Sequence, residues 1–137
     1  MLRAYYLYTG RDGHSHVQRG RLVEREVTAA KSVMWAESPP YSSLDWHNAP
    51  TTQYVLTLAG ELEFVTQTGE SFTILPGDVL VATDVTGSGH KWRLVNDQPW
   101  RRAYVAFDGS TKLNFEADES TEPAVSSACQ EEGLSKI

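Results

Sequence analysis

The sequence is short of the residues on which several common kinds of protein depend. Cys129 is its only cysteine, so the chain can build neither a disulfide framework nor a thiolate zinc site. No apolar run approaches the roughly 20 residues that cross a membrane as a helix. Residues 1–13 include Arg3, Arg11 and Asp12 and lack the apolar run of about 7 residues of a signal peptide. We therefore expect no signal peptide and a cytoplasmic protein.

Positive charge is also scarce. The formal net charge at pH 7 is −6. Residues 109–137 hold six acidic residues against two basic ones, Lys112 and Lys136, which leaves only −2 for residues 1–108. No stretch joins a run of basic residues to interleaved aromatic residues, the pattern that nucleic-acid or anionic-membrane binding requires. We expect neither nucleic acid nor a membrane as a partner.

The sequence also lacks apolar residues repeated at the spacing of an amphipathic helix. From Arg3 to Asp108 it consists of short segments rich in Val, Leu, Tyr, Trp and Thr, separated by turn residues. Such short spacers leave no room for the crossovers of a parallel sheet, so the strands must pair mostly antiparallel. The pattern predicts a single all-β domain, built as a sandwich, a closed barrel or a double-sheet jelly roll. The expected strands are Arg3–Thr9, Arg21–Val27, Lys31–Glu37, Thr52–Ala59, Glu61–Thr66, Ser71–Leu75, Val79–Thr83, His90–Asn96 and Arg102–Phe107.

The end of the chain has a different composition. After Asn114 it is rich in Ser, Glu, Asp and Ala and shows no periodic apolar face. We therefore divide the chain into a β-barrel domain at 1–108 and an acidic, flexible C-terminal extension at 109–137, to which we assign no chemistry.

Motifs in the middle of the chain point to a family. Gly60 lies seven residues after Gln53, Gly77-Asp78 supplies a turn, and His90 follows a Gly-Ser-Gly segment. This frame resembles the small single-domain cupins. Their first motif has two histidines one residue apart, then a Glu, and a Gly seven positions after it; their second has a Gly-Asp turn and a distal histidine. The resemblance implies an all-β, double-sheet antiparallel jelly-roll barrel over residues 1–108, with a small molecule held inside.

Two positions depart from the cupin pattern. With His47 aligned to the first histidine, Ala49 replaces the second and Gln53 replaces the Glu. The metal set that the resemblance then implies is His47, Gln53 and His90, whose two imidazoles and amide can hold Fe, Mn, Ni or Zn. Because the carboxylate is missing, we expect a divalent metal to bind weakly or not at all. No other cofactor is expected.

The residues around His90 favour an inward side chain whatever the family. In an extended segment His90, Trp92 and Leu94 share one face, while Lys91 and Arg93 share the other. The histidine thus lies on the apolar side, where it either faces a cavity or is a core histidine satisfied by one hydrogen bond.

Several further residues are candidates for the site. Gln53 alternates with Val55 and Thr57, so we expect it in the cavity, although a buried amide paired with the backbone or with water is the alternative. His47 lies at a strand entry and is either a group at the barrel mouth or an ordinary loop histidine. The residues expected to bind substrate are Gln53, Trp46, Tyr54, Thr57 and Trp92.

Three other polar residues have simpler interpretations. We expect Asp84 to cap the following turn through side-chain to backbone hydrogen bonds. His14 and His16 form a His-x-His pair close to Gly10, Asp12 and Gly13, so we expect both rings to be solvated in or just after a loop.

His47 and His90 are the predicted catalytic residues. Histidine titrates near neutral pH, so the two rings can serve as general base and general acid. We expect an enzyme of the lyase or isomerase type: a dehydratase, isomerase or cyclase that acts on a small molecule. The alternatives are a metal-dependent oxygenase or isomerase that uses His47, Gln53 and His90, and a cupin that binds a small ligand without catalysis.

The first segment suggests how the barrel closes or associates. Ala4–Tyr8 contains three tyrosines and either closes a sheet or pairs with a second chain. Since cupin-like barrels often dimerise, the resemblance implies a homodimer.

Overall fold

The fold is known from a computed structural model, which describes residues 1–118. All of its regular elements are strands. Within that range no helix is long and apolar enough to cross a membrane. The strands are β1 (Leu2–Thr9), β2 (Ser15–Leu22), β3 (Ala30–Ser38), β4 (Ser43–His47), β5 (Gln53–Ala59), β6 (Leu62–Thr66), β7 (Ser71–Ile74), β8 (Val79–Ala82), β9 (His90–Leu94), β10 (Trp100–Phe107) and β11 (Glu116–Ala117).

The strands form two sheets. One has the order β11-β2-β1-β8-β5-β10-β3, and the other the order β4-β9-β6-β7. Every pair is antiparallel except β1 with β8. The prediction of an all-β, double-sheet jelly-roll barrel is therefore confirmed.

Apolar side chains fill much of the space between the two sheets. Buried and partly exposed residues alternate along β5 and β6, as expected for strands with one face on the core. Phe72 stacks between Tyr5 and Phe64, with ring centroids 5.0 and 5.1 Å away. Each large apolar side chain buried in this way contributes about 1.5–3 kcal/mol.

A second apolar layer covers the outer face of the larger sheet. Tyr54 stacks on Phe107 with centroids 4.6 Å apart, and the Tyr54 hydroxyl accepts a hydrogen bond from the backbone N–H of Asn114 at 3.1 Å. Phe115 packs against Tyr6, and β11 then pairs with β2. The chain from 107 to 117 thus lies against the barrel. Residues 119–137, including Cys129, lie outside the described residues, and the flexibility of the extension stays a prediction.

Three parts of the strand assignment were wrong. The second strand lies at Ser15–Leu22 rather than Arg21–Val27, and two strands that were not predicted form at Ser43–His47 and Glu116–Ala117. The second strand is easily taken for a loop because its buried side chains are polar: Ser15, His16 and Gln18. Ser15 and His16 are tolerated inside because hydrogen bonds satisfy their side chains: the Ser15 hydroxyl donates to Asp84, and the two ring nitrogens of His16 bind Glu70 and Asp12.

β1 occupies the interior of its sheet. It hydrogen-bonds to β2 on one side and to β8 on the other, so Ala4–Tyr8 closes the sheet and offers no free edge to a second chain. The strand at the end of the sheet order on the other side is β3.

His16 is buried, so the expectation of a solvated ring was wrong. It is only 6% exposed, and its Nδ1 lies 2.6 Å from a Glu70 oxygen while its Nε2 lies 2.9 Å from an Asp12 oxygen. Burial alone lowers the pKa of His16, but the hydrogen bonds and charges of Glu70 and Asp12 outweigh it and raise the pKa above its ordinary value. The imidazolium form therefore joins the β1–β2 turn to the β6–β7 turn.

This ion pair predicts a pH-dependent contribution to stability. Because the pKa is raised on folding, the stabilisation is complete below the unfolded value of about 6.5 and declines as pH rises through the folded value. His16→Gln should lower the free energy of unfolding by about 1–3 kcal/mol at pH 5.5 and by less at pH 9. Urea denaturation of both proteins at the two pH values measures the difference. An equal loss at both would contradict the assignment.

Candidate functional site

A cavity of about 420 Å³ lies between the sheets, and Phe64 of the aromatic core forms part of its wall. Side chains from both sheets and from the loop 48–50 line it. Its size suits a compact organic molecule. Most of the lining is apolar, and the polar side chains in it are His47, Asn48, Gln53, His90, Arg102 and Tyr104.

Strand pairing places the two predicted catalytic histidines side by side. β4 runs antiparallel to β9, and His47 is the direct cross-strand neighbour of His90. Opposed residues on one face of a sheet have neighbouring side chains, and here the ring centroids are 4.4 Å apart with 61° between the ring planes. Residues separated by more than forty positions in sequence thereby form one polar cluster in the cavity wall.

The protonation of His47 follows from its backbone contact. Its Nδ1 lies 2.8 Å from the carbonyl oxygen of Asp45, which can only accept, so Nδ1 carries the hydrogen and donates it. Nε2 is then the nitrogen with the lone pair in the neutral ring. Burial lowers the pKa of His47, positive charge on His90 lowers it further, and the bond to Asp45 and the charge of Asp84 only partly offset this. His47 is therefore a neutral base at neutral pH.

His90 is held by a buried carboxylate. Its Nδ1 lies 2.6 Å from Oδ2 of Asp84, whose side chain is 0% exposed. The same oxygen accepts a hydrogen bond from the Ser15 hydroxyl at 2.6 Å. This arrangement fixes the orientation of the His90 ring and leaves its Nε2 without a hydrogen bond to any residue that the structure describes.

Asp84 does not cap the turn, so that expectation was wrong. Its side chain reaches across the barrel to Ser15 and His90, and Oδ1 has no hydrogen-bond partner among residues 1–118. Side-chain capping requires an oxygen that faces nearby backbone N–H groups, and this carboxylate faces the interior instead. Sequence reasoning missed its role because Ser15 is 69 positions away.

The turn before β9 brings the backbone close to His47. Gly89 has a φ of +79°, a conformation that suits glycine. A Cβ at this position would collide with the carbonyl oxygen of His47. The absence of a side chain at residue 89 is thus what allows β4 to approach β9 and the two imidazoles to meet.

Gln53 and Trp92 both lie in the cavity wall. Gln53 is buried, and its amide makes no hydrogen bond with any residue that the structure describes, so it is available to a ligand. Trp92 stands edge-on to Trp100 with centroids 4.7 Å apart. The alternation predicted for β9 is confirmed, since His90 and Leu94 are buried while Lys91 and Arg93 are exposed.

Three residues expected to bind substrate lie outside the cavity lining. Tyr54 faces the outer layer, because neighbours along a strand point to opposite faces and Gln53 faces inward. Thr57 is buried beneath the cavity, where its hydroxyl accepts a hydrogen bond from the indole N–H of Trp100 at 3.0 Å. Trp46 lies on the outer face beneath Lys91, whose Nζ is 4.9 Å from the ring centroid.

Arg102 lines the cavity and was not predicted. Trp100, Arg102 and Tyr104 alternate along β10 and all face inward, whereas Arg101 points outward to Glu37. The signal was present in the sequence, because the aromatic residues at 100 and 104 mark the inner face and residue 102 lies between them. Starting the predicted strand at Arg102 concealed that pattern.

The donor set does not fit the metal centre that the cupin resemblance implies. Residues 1–118 contain no group of three or more His, Cys, Asp or Glu side chains able to hold a metal ion. Around His47 and His90 the cavity lining adds the neutral amides of Asn48 and Gln53 and the hydroxyl of Tyr104, while the buried carboxylate of Asp84 lies on the Nδ1 side of His90. We therefore derive no chemical step through a metal.

Fold and site together describe a small cupin-like barrel with a histidine pair inside. No protein-family model and no curated protein matches the chain. Among solved structures, the Cupin_2 domain of an XRE family transcriptional regulator from Enterobacter cloacae is similar at 16% identity, with a TM-score of 0.34. The match covers 79% of this chain and 99% of that one. At this distance the likeness carries no conclusion about activity.

The contact between Gly89 and His47 predicts the effect of adding a methyl group there. Gly89→Ala should push β4 away and shift the ring resonances of His47 and His90 in histidine-selective NMR spectra. Gly69→Ala is the matched control, because Gly69 also has a positive φ, +91°, but nothing within 4 Å of an added Cβ. Both variants should lose about 1–2 kcal/mol from backbone strain. Unchanged histidine resonances in Gly89→Ala would contradict the contact.

Proposed function

We propose that this protein is an enzyme that moves protons on a small molecule by general acid and base catalysis, with His47 as base and His90 as acid. The observation that carries the proposal is the arrangement of the two rings: 4.4 Å between centroids in a cavity wall, with His90 bound to the buried Asp84. Two titratable groups in such different surroundings are suited to opposite roles.

His47 supplies the base. Its Nδ1–H is donated to the Asp45 carbonyl, so the lone pair on Nε2 accepts the proton. Its lowered pKa keeps the ring neutral and ready at the start of the reaction.

His90 supplies the acid. The Asp84 carboxylate accepts the Nδ1–H and holds the ring in place, so Nε2 is the nitrogen that delivers a proton to the substrate. Since the carboxylate is completely buried, it positions the histidine and does not touch the substrate.

The reaction class follows from two proton transfers. His47 takes a proton from a carbon atom of the substrate. If His90 returns a proton to a different carbon, the product is an isomer; if it protonates a leaving hydroxyl as the C–O bond breaks, water is lost and a double bond forms. Gln53 is placed to hydrogen-bond a carbonyl or hydroxyl of the substrate. We propose a lyase or isomerase, and a cytoplasmic location in keeping with the single cysteine.

Hydrogen exchange tests the proposal without a known substrate. Small compounds with a C–H next to a carbonyl, incubated with the protein in D2O, should exchange that hydrogen for deuterium, as followed by proton NMR. His47→Asn should reduce the exchange rate at least 100-fold, in the range typical of general base catalysis. His14→Asn is the control, because that ring contacts Ser88 and lies outside the cavity lining.

The pH profile of the exchange supplies an independent measurement. His47 must be deprotonated to act, and its pKa is lowered from the ordinary histidine value of about 6.5. The exchange rate should therefore reach half its maximum below pH 6.5. A half-maximum above that value would contradict His47 as the base. Tight binding of a compound without any exchange would instead support the role of a binding protein.

We also propose that the protein is a homodimer in which β3 pairs across the interface. β3 ends its sheet, and Val33 and Trp35 on it are 53% and 69% exposed. An edge strand with open backbone groups and large apolar side chains is a typical site of strand pairing. Trp35→Glu should convert a dimer to a monomer in light-scattering chromatography. Leu2→Glu, on β1 and far from β3 in the strand order, should leave the mass unchanged. A monomeric wild-type protein would refute the dimer.

A further inference from the structure

Arg102 is a buried cation in the wall of the proposed active site. Its side chain extends from β10 into the cavity that His47 and His90 also line, and the residue is only 8% exposed. Arginine remains charged under all ordinary conditions, and a charge removed from water is costly unless other groups compensate it.

No carboxylate compensates Arg102. Within residues 1–118 no Asp or Glu oxygen lies within ion-pair distance of it. Its neighbour Arg101, which points to solvent, does have such a partner, with Nε 2.8 Å from Glu37. The exposed Arg101 therefore has a carboxylate partner, and the buried Arg102 has none among the described residues.

Neutral groups hold the guanidinium in place. Nε donates to the Tyr104 hydroxyl at 3.0 Å, and Nη1 donates to the Ser38 hydroxyl at 2.8 Å and to the Trp100 carbonyl at 3.0 Å. The guanidinium group also stacks over the Trp100 ring, with Cζ 3.8 Å from the ring centroid. These contacts restrain the side chain before any ligand arrives and leave its charge unneutralised.

One nitrogen of Arg102 remains for a ligand. The guanidinium has five N–H groups, and those on Nε and Nη1 are engaged. Nη2 makes no hydrogen bond with the described part of the chain and is not sealed from solvent. Its two N–H groups can donate to one anionic oxygen or to both oxygens of a carboxylate.

The rest of the cavity wall is suited to an anion. None of the side chains in the lining is an Asp or a Glu. Asp84, the nearest carboxylate to the histidines, is completely buried behind His90. A negatively charged ligand therefore meets a fixed positive charge and no exposed carboxylate.

We propose that the substrate is a small organic acid whose carboxylate binds Nη2 of Arg102. This inference rests on the proposed function for the identity of the reacting groups, while the binding of the anion depends on Arg102 alone. A charge-assisted hydrogen bond in a mostly apolar cavity anchors one end of the substrate and holds the rest of it against His47 and His90 in a defined orientation.

Matched probes test the inference. The binding of 4-fluorobenzoate and of its neutral isostere 4-fluorobenzamide, followed by 19F NMR at constant ionic strength, isolates the effect of charge. The wild-type protein should bind the benzoate at least tenfold more tightly than the amide. Arg102→Met, which keeps an apolar stem over Trp100, should lose that preference. Arg101→Met should retain it, because that residue faces solvent.

Each outcome bears on the inference. Equal affinity of the wild-type protein for both probes overturns it without any variant, and so does an undiminished preference in a folded Arg102→Met. If circular dichroism shows that Arg102→Met does not fold, Arg102→Gln replaces it under the same criterion.

The hydrogen-exchange assay separates this inference from the proposed function. A preference for benzoate that depends on Arg102, with no exchange of any organic acid, would refute the enzyme and leave the anion site standing. Hydrogen exchange in neutral compounds but in no organic acid would support the enzyme and refute the anion site.

Discussion

The hydrogen bond between Asp84 and His90 is the constraint on which the site depends. It joins a carboxylate without solvent exposure to an imidazole in the cavity wall, and the Ser15 hydroxyl completes it from β2. Ser15 belongs to the larger sheet and His90 to the smaller one. Burying these polar groups costs free energy, which their hydrogen bonds to one another offset. The hydrogen bonds connect the two sheets at the point where the chemistry is proposed.

The positive charge of Arg102 lies at the cavity surface, whereas the negative charge of Asp84 is buried behind the cavity wall. Asp84 lies behind His90 and touches only protein, whereas Arg102 lies in the opposite sheet and lines the cavity. A ligand therefore meets the imidazoles and the guanidinium but not the carboxylate. In the proposed function, this separation lets one small apolar cavity attract an anion and still contain a histidine that acts as an acid.

Properties set by neighbours in sequence could be predicted, and those set by distant residues could not. The inward face of β9 and the place of Gln53 follow from the alternation of side chains along a strand, which is local. The role of Asp84 depends on Ser15, and the burial of His16 depends on Glu70, 54 positions away. Arg102 was missed because a strand boundary was placed two residues late.

Ala49 has a consequence for the volume of the site. It stands where the cupin resemblance would place a second histidine, is buried, and lines the cavity with a single methyl group. An imidazole there would fill space that the barrel now leaves open beside His47. The small side chain of Ala49 thus gives a ligand more room next to the proposed base.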